Sequence, residues 1–314
     1  MVQAIDETGP YLPPNTGYDA APSAPPPLKL PPVISQSGAG NETLLYQDSG
    51  LPRVILPDTT PKVGNSKYFT TLNGLTGLVN TIAGYTMGDG LFATAFGVVW
   101  NKITRRDGSR LKTGEDGDFW SFPIALTYAA PSFEAALVLP FESYDVYAPL
   151  TYNFRDGSDS GMGDVTLRLK FCTDNDNMAS ALGLGALFPT SDRTIGNTEV
   201  DNAWEVFGAI SSKRKVGGNF HVNGGYQASS GNTDHEGVFF NVGFNYSANS
   251  QFDFMGEVNS YNRVNQGRST DLTLSMRYFP KDGMALTLAA PIALNNDMFF
   301  GYDYRLVGQL QYRY

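Results

Sequence analysis

The sequence predicts an all-β protein: a transmembrane antiparallel up-and-down β-barrel of about twelve strands with an extended Pro-rich N-terminal arm. Three observations predict it. The last stretch, Gly301 to Tyr314, alternates strictly. Tyr302, Tyr304, Leu306, Gly308, Leu310, Tyr312 and Tyr314 form an apolar set, and Asp303, Arg305, Val307, Gln309, Gln311 and Arg313 form a set that is polar except for Val307. Successive strand residues point to opposite faces, so this is a strand with one greasy and one wet face, aromatic at both ends of the greasy one. Second, short connections alternate with long polar ones along the chain, the plan of a barrel with turns at one rim and loops at the other. Third, no apolar run approaches the ~18–20 residues of a spanning helix, while glycines and aromatics are abundant, a composition that favours strands.

Residues 1–66 hold about a dozen of the 19 prolines, including Pro25-Pro26-Pro27 and Pro31-Pro32. Such a segment supports neither helix nor ladder and is expected to be an extended or disordered periplasmic arm. It is either a tether or a docking element for a periplasmic protein or the cell wall. Met1 to Asp6 lacks the basic-then-apolar pattern of a secretory leader, so a leader is expected to have been removed. Residues 67–90 form a connecting segment whose glycine-spaced part, Leu72 to Met87, reads as a partial strand or as a plug at the barrel mouth.

The barrel is expected over 91–314, with strands near 91–104, 118–129, 132–144, 163–173, 178–188, 202–213, 217–229, 237–248, 250–261, 270–279, 283–292 and 301–314. Several show the alternation plainly. Val165, Leu167, Leu169 and Phe171 oppose Asp164, Thr166, Arg168 and Lys170. Val238, Phe240, Val242, Phe244 and Tyr246 oppose Asn241 and Asn245, with Phe239 out of pattern. Short turns are expected at Ala130-Pro131, 174–177, 214–216, Asn249 and 280–282. Long loops are expected at 105–117, 145–162, 189–201, 230–236, 262–269 and 293–300. The even strand count puts both barrel ends on the short-turn side, with the arm in the periplasm.

The runs Gly161 to Lys170 (GMGDVTLRLK) and Leu182 to Thr190 (LGLGALFPT), with Trp204 to Lys213, Val222 to Tyr226 and the closing strand, resemble an outer-membrane transporter family named for the meta-pathway of phenol degradation. The resemblance covers roughly residues 90–314. It implies a pore-type barrel of modest size that passes small, partly hydrophobic molecules; the arm lies outside it.

If the greasy face meets outer-membrane lipid, the other face lines the lumen. That face is expected to carry Glu134, Glu142, Arg168, Lys170, Glu205, Lys213, His221, Asp253, Glu257, Arg277, Asp303, Arg305, Gln309, Gln311 and Arg313. The mixed charges either brace the wall as a lattice or select a solute. Twelve strands give a backbone diameter on the order of 24 Å and a passage of ~10 Å unless something fills it. The expected function is passive passage of a small solute, with an anchor for the arm as the alternative.

Other chemistries find little footing. A net charge of −9 offers no basic patch for nucleic acid. The lone Cys172 forms no internal disulfide and no multi-cysteine metal site. A hydrolytic site needs a base beside a serine; His221-Val222-Asn223 offers no serine two residues on along the same face, and His235 lies in a loop between Asp234 and Glu236. Two acidic clusters, Asp156, Asp159 and Asp164 and then Glu115, Asp116 and Asp118, follow no calcium-loop pattern. No cofactor, metal or enzymatic activity is expected.

Overall fold

In the computed structural model the described residues are 68–103, 116–147, 157–191, 202–213, 218–230, 236–264, 267–296 and 302–314. The arm expected over 1–66 lies outside them, as do His235, Asp156 and Glu115.

Among the described residues the chain forms strands β1 (Leu91–Ile103), β2 (Asp116–Ala130), β3 (Phe133–Tyr147), β4 (Gly157–Met162), β5 (Val165–Asp174), β6 (Met178–Phe188), β7 (Ala203–Ser212), β8 (Gly218–Ser229), β9 (Gly237–Ser247), β10 (Phe252–Arg263), β11 (Gly267–Lys281), β12 (Met284–Asn296) and β13 (Tyr304–Arg313). The pairings are antiparallel, and β13 returns to β1, with Ala93 opposite Arg313 and Lys102 opposite Tyr304. The sheet is therefore closed, which leaves no unpaired edge in hydrocarbon.

Both β4 and β5 pair with β3. Phe141–Val146 face β4, and Phe133–Val138 face β5. They are two halves of one wall position interrupted at Gly163 and Asp164, so the barrel has the twelve expected positions. The interruption is a one-residue shift of register, from Val138 opposite Thr166 to Phe141 opposite Met162. The Glu142 side chain lies over Gly163, where a Cβ would sit 2.8 Å from Glu142 Cδ. The Gly163 N–H still donates to Pro140 O at 2.9 Å.

Two expected long loops are shorter than the sequence suggested. Strands β3 and β4 extend into 145–162, leaving 148–156 between them, and β10 and β11 extend into 262–269, leaving only 264–266. Polar residues such as Asn262, Arg263 and Arg268 continue the ladder there, because backbone pairing outweighs side-chain polarity once a strand has passed the apolar zone.

The outward face is an apolar belt between two aromatic girdles. Toward the short turns, Phe92 meets Tyr128, Phe133 meets Phe171, Phe220 meets Phe244 and Phe252 meets Tyr278, with ring centroids 4.8–5.3 Å apart. Toward the long loops, Trp100 meets Trp120 and Trp204 meets Tyr226. Between them Leu182, Leu184, Ile210, Leu274, Leu288 and Leu306 stand more than half exposed. A soluble protein does not leave so continuous an apolar band uncovered; hydrocarbon covers it here. The fold and its belt are those of a bacterial outer-membrane β-barrel.

One residue of the terminal pattern departs from expectation. Tyr302 precedes β13 and turns inward, 7 % exposed, instead of facing lipid. Phe239 faces inward too, which is why it broke the outward pattern: it stacks with Tyr261 at 6.3 Å.

Candidate functional site

Residues 68–87 occupy the short-turn half of the lumen. No residue from Tyr68 to Met87 is charged, and glycines recur at 74, 77 and 84. The segment has no helix or strand of its own, only isolated bridges between Thr70 and Thr76 and between Gly77 and Ile82. Even so, Phe69, Leu75, Leu78, Val79, Ile82, Ala83, Tyr85 and Met87 are buried. Burial holds the Tyr85 phenol well above its usual pKa, so it stays neutral.

The apolar side chains pack on inward-facing small residues. Leu75 and Ile82 cluster with Ala136, Cys172, Ala181, Phe207 and Ala209. Leu78 and Val79 cluster with Val99, Met255, Ala289 and Val307. This accounts for Val307, the one apolar residue in the polar set of the last strand. Gly243 is needed for close approach, since a Cβ there would lie 2.5 Å from Leu78 Cδ1. Phe69 sits beside two guanidinium groups, with Arg277 6.0 Å and Arg313 5.5 Å from its ring centre.

The polar side chains of the wall satisfy the segment's backbone. Glu257 Oε1 accepts from Val79 N at 2.7 Å, and its Oε2 accepts from Asn80 N (2.9 Å), Thr81 N (2.7 Å) and Thr81 Oγ1 (2.8 Å). Glu134 accepts from Thr76 N and Met87 N at 3.0 Å each, and from the Thr76 hydroxyl. Lys170 pairs with Glu134 and donates to Tyr85 O at 2.8 Å and Ala83 O at 3.2 Å. Arg277 donates to Leu78 O and Gly77 O. Gln309 and Gln311 donate to Thr71 O and Thr70 O. Thr127, Ser211 and Asn223 complete the cradle through Gly74 O, Gly84 N and Ile82 N. Buried backbone polar groups must find partners, and here the barrel supplies them.

Of the sequence-predicted lining residues, Glu134, Lys170, Glu257, Arg277, Gln309 and Gln311 thus come together on the segment. Arg313 also reaches it, through Phe69. Asp253 is buried on the inward face of β10 with Arg277 opposite in register. Three lie higher: Glu142 over Gly163, and Arg168 hydrogen-bonded to Glu205 across β6. Glu205 can cross there because Gly185 has no side chain; a Cβ would be 2.5 Å from Glu205 Cγ. Arg305 donates to Asn101 and covers the Tyr302 ring at 3.9 Å. Lys213 and Asp303 fall just outside the strands. Lys213 pairs with Asp174 at 2.6 Å in the short-turn rim, and Asp303 N donates to Lys102 O.

His221 is buried on the inward face. Its Nδ1 lies 2.8 Å from Ser211 Oγ and its Nε2 3.0 Å from Asn245 Oδ1. This serine comes from the neighbouring strand, where pairing of β7 with β8 places Ser211 directly opposite His221, so it has no signature along the sequence around His221. The serine oxygen also accepts from Gly84 N at 2.8 Å.

Beginning at Asn223, which holds Ile82 N, the residues Asn223, Asn241, Asn259 and Asp271 form one inward row across β8 to β11. Asp271 accepts from Asn259 Nδ2 and from the Tyr302 hydroxyl, both at 2.8 Å. Gly97, Val99, Pro123, Val138, Ala289 and Pro291 also face inward, but Val99 and Ala289 pack on Leu78 and Val79 and Val138 lies beside Gly74, so the segment covers these three. In the acidic clusters, Asp164 Oδ1 accepts from Ser191 N and Oγ, and Asp118 accepts from the Trp100 indole.

No protein-family model matches the chain, and no curated protein matches it. Solved structures do. An outer membrane channel from Pseudomonas putida F1 aligns with TM-score 0.59 at 11 % identity, over 76 % of this chain and 99 % of that one. The KdgM porin aligns with TM-score 0.47 at 8 % identity, over 70 % and 98 %. The toluene transporter TbuX of Ralstonia pickettii aligns with TM-score 0.41 at 12 % identity, over 72 % and 89 %. The first of these shares the fold of this chain.

Proposed function

We propose that the protein is an outer-membrane channel for passive passage of a small, partly hydrophobic solute, with residues 68–87 restricting its short-turn half. The observation that carries this reading is the mixed polar and apolar lining of the lumen above the segment. Asn259, Asp271, the Arg168–Glu205 pair and Arg305 face inward there, beside the small apolar Pro291 and Ala293. A solute with an apolar body and a polar edge suits both. The likeness to an outer-membrane channel supports the reading at the level of fold, and so does the resemblance to the family named for phenol degradation. We read the barrel as non-catalytic: Ser211 is taken up by His221 and Gly84 and is sealed under the segment.

Single-channel recording in a planar bilayer tests this. The full chain should give small unitary currents, and Leu78→Asp, which places a charge in the packed segment, should enlarge them. Silence from both at high protein density would sink the reading. The filled lumen favours a second one, a structural anchor whose arm, residues 1–66, holds a periplasmic or envelope partner. That reading predicts silence together with loss of co-purifying partners when 1–66 is deleted.

A further inference from the structure

The segment is held as a ligand is held. Seven of its backbone N–H groups, at Thr76, Val79, Asn80, Thr81, Ile82, Gly84 and Met87, donate to wall side chains. Seven of its carbonyls, at Thr70, Thr71, Gly74, Gly77, Leu78, Ala83 and Tyr85, accept from them. The wall's charges therefore read the main chain, while the segment contributes no charge of its own. Its six internal backbone bonds, such as Leu78 N to Thr81 O at 3.0 Å and Leu72 N to Val79 O at 2.9 Å, are outnumbered by these bonds to the wall. A segment with so little structure of its own takes its conformation from the site. Glycine is required where the wall is closest: a Cβ on Gly84 would lie 2.4 Å from Ala179 O.

We propose that the lumen is a receptor for an uncharged, glycine-spaced peptide, read through its backbone, and that residues 68–87 are its resident ligand. A peptide of this chemistry supplied in trans competes for the same cradle. Binding is measured in detergent without any current, so its failure is separate from a failure of the channel reading.

The test uses the full chain with a protease recognition sequence inserted between the exposed Asp89 and Gly90, cut after folding in detergent micelles. The freed N-terminal piece should co-elute with the barrel, and excess fluorescent synthetic 68–87 peptide should replace it. The same peptide N-methylated at Val79 and Thr81 loses two of the donors to Glu257 and should bind at least ~10-fold more weakly. A Leu78→Lys peptide should not compete. Four results would overturn the proposal. One is an emptied barrel that ignores the labelled peptide. Another is a retained piece that no excess of peptide replaces. A third is an N-methylated peptide that binds as well as its parent. The last is a barrel that loses its heat-resistant electrophoretic mobility once the piece departs, which makes the segment core rather than ligand.

Discussion

Lys170 Nζ lies 2.6 Å from Glu134 Oε2, and neither side chain touches solvent. The two come from neighbouring strands, β5 and β3, at directly paired positions. Each spends its remaining capacity on the inserted segment. Glu134 takes the N–H groups of Thr76 and Met87, and Lys170 holds the carbonyls of Ala83 and Tyr85. The ion pair therefore braces the wall and grips the segment's returning arm at once.

Removing one partner should cost more than removing both. Lys170→Met leaves the Glu134 carboxylate buried without its cation, and we expect a loss of about 3–5 kcal/mol in stability. The double change Glu134→Gln with Lys170→Met should be milder. Denaturant unfolding in detergent, run as a double-mutant cycle, reads the difference.

Glu257→Ala should loosen the turn at 79–81 selectively. Three N–H groups lose their acceptor, so local opening becomes easier by about 1–3 kcal/mol. Hydrogen exchange at Val79, Asn80 and Thr81 should accelerate while amides of β2 and β3 keep their protection. Uniform acceleration along the chain would contradict a local role.

Cys172 is the one cysteine, 6 % exposed under Leu75 and Ile82. A membrane-impermeant maleimide should label it slowly in the native chain and much faster in Glu257→Ala. Equal rates would mean that the segment does not shield the inward face of β5.

On the outside, Leu274 lies near the middle of β11, 55 % exposed to lipid. Leu274→Arg should destabilise the barrel by about 2–4 kcal/mol, and Tyr314→Arg at the rim by no more than about 1 kcal/mol. Refolding into lipid vesicles measures both.

Gly183→Ala probes the packing beneath the segment. Its new Cβ would lie 2.0 Å from Phe207 Cζ, and Phe207 is part of the cluster with Leu75 and Ile82. The ring must move, at a cost of about 1–3 kcal/mol, and Cys172 labelling should rise with it.

Strand alternation alone determined much of this protein. A period of two sorts side chains onto two faces whatever the partners are, so the belt of Leu274 and Leu306 and the inward parity of Glu134, Lys170, Glu257 and Arg277 were legible residue by residue. So was the twelve-position wall, because loop length sorts the two rims. Tertiary structure decided what those inward charges touch. Parity says that Glu257 points in, but not that Val79, Asn80 and Thr81 will meet it from far away in the chain. It says nothing of Ser211 facing His221, which strand register sets, nor of Tyr302 turning inward to Asp271. Residues 68–87 have no periodicity to read because their backbone is satisfied more by the wall than by themselves, and a conformation held by distant side chains leaves no local pattern in the sequence.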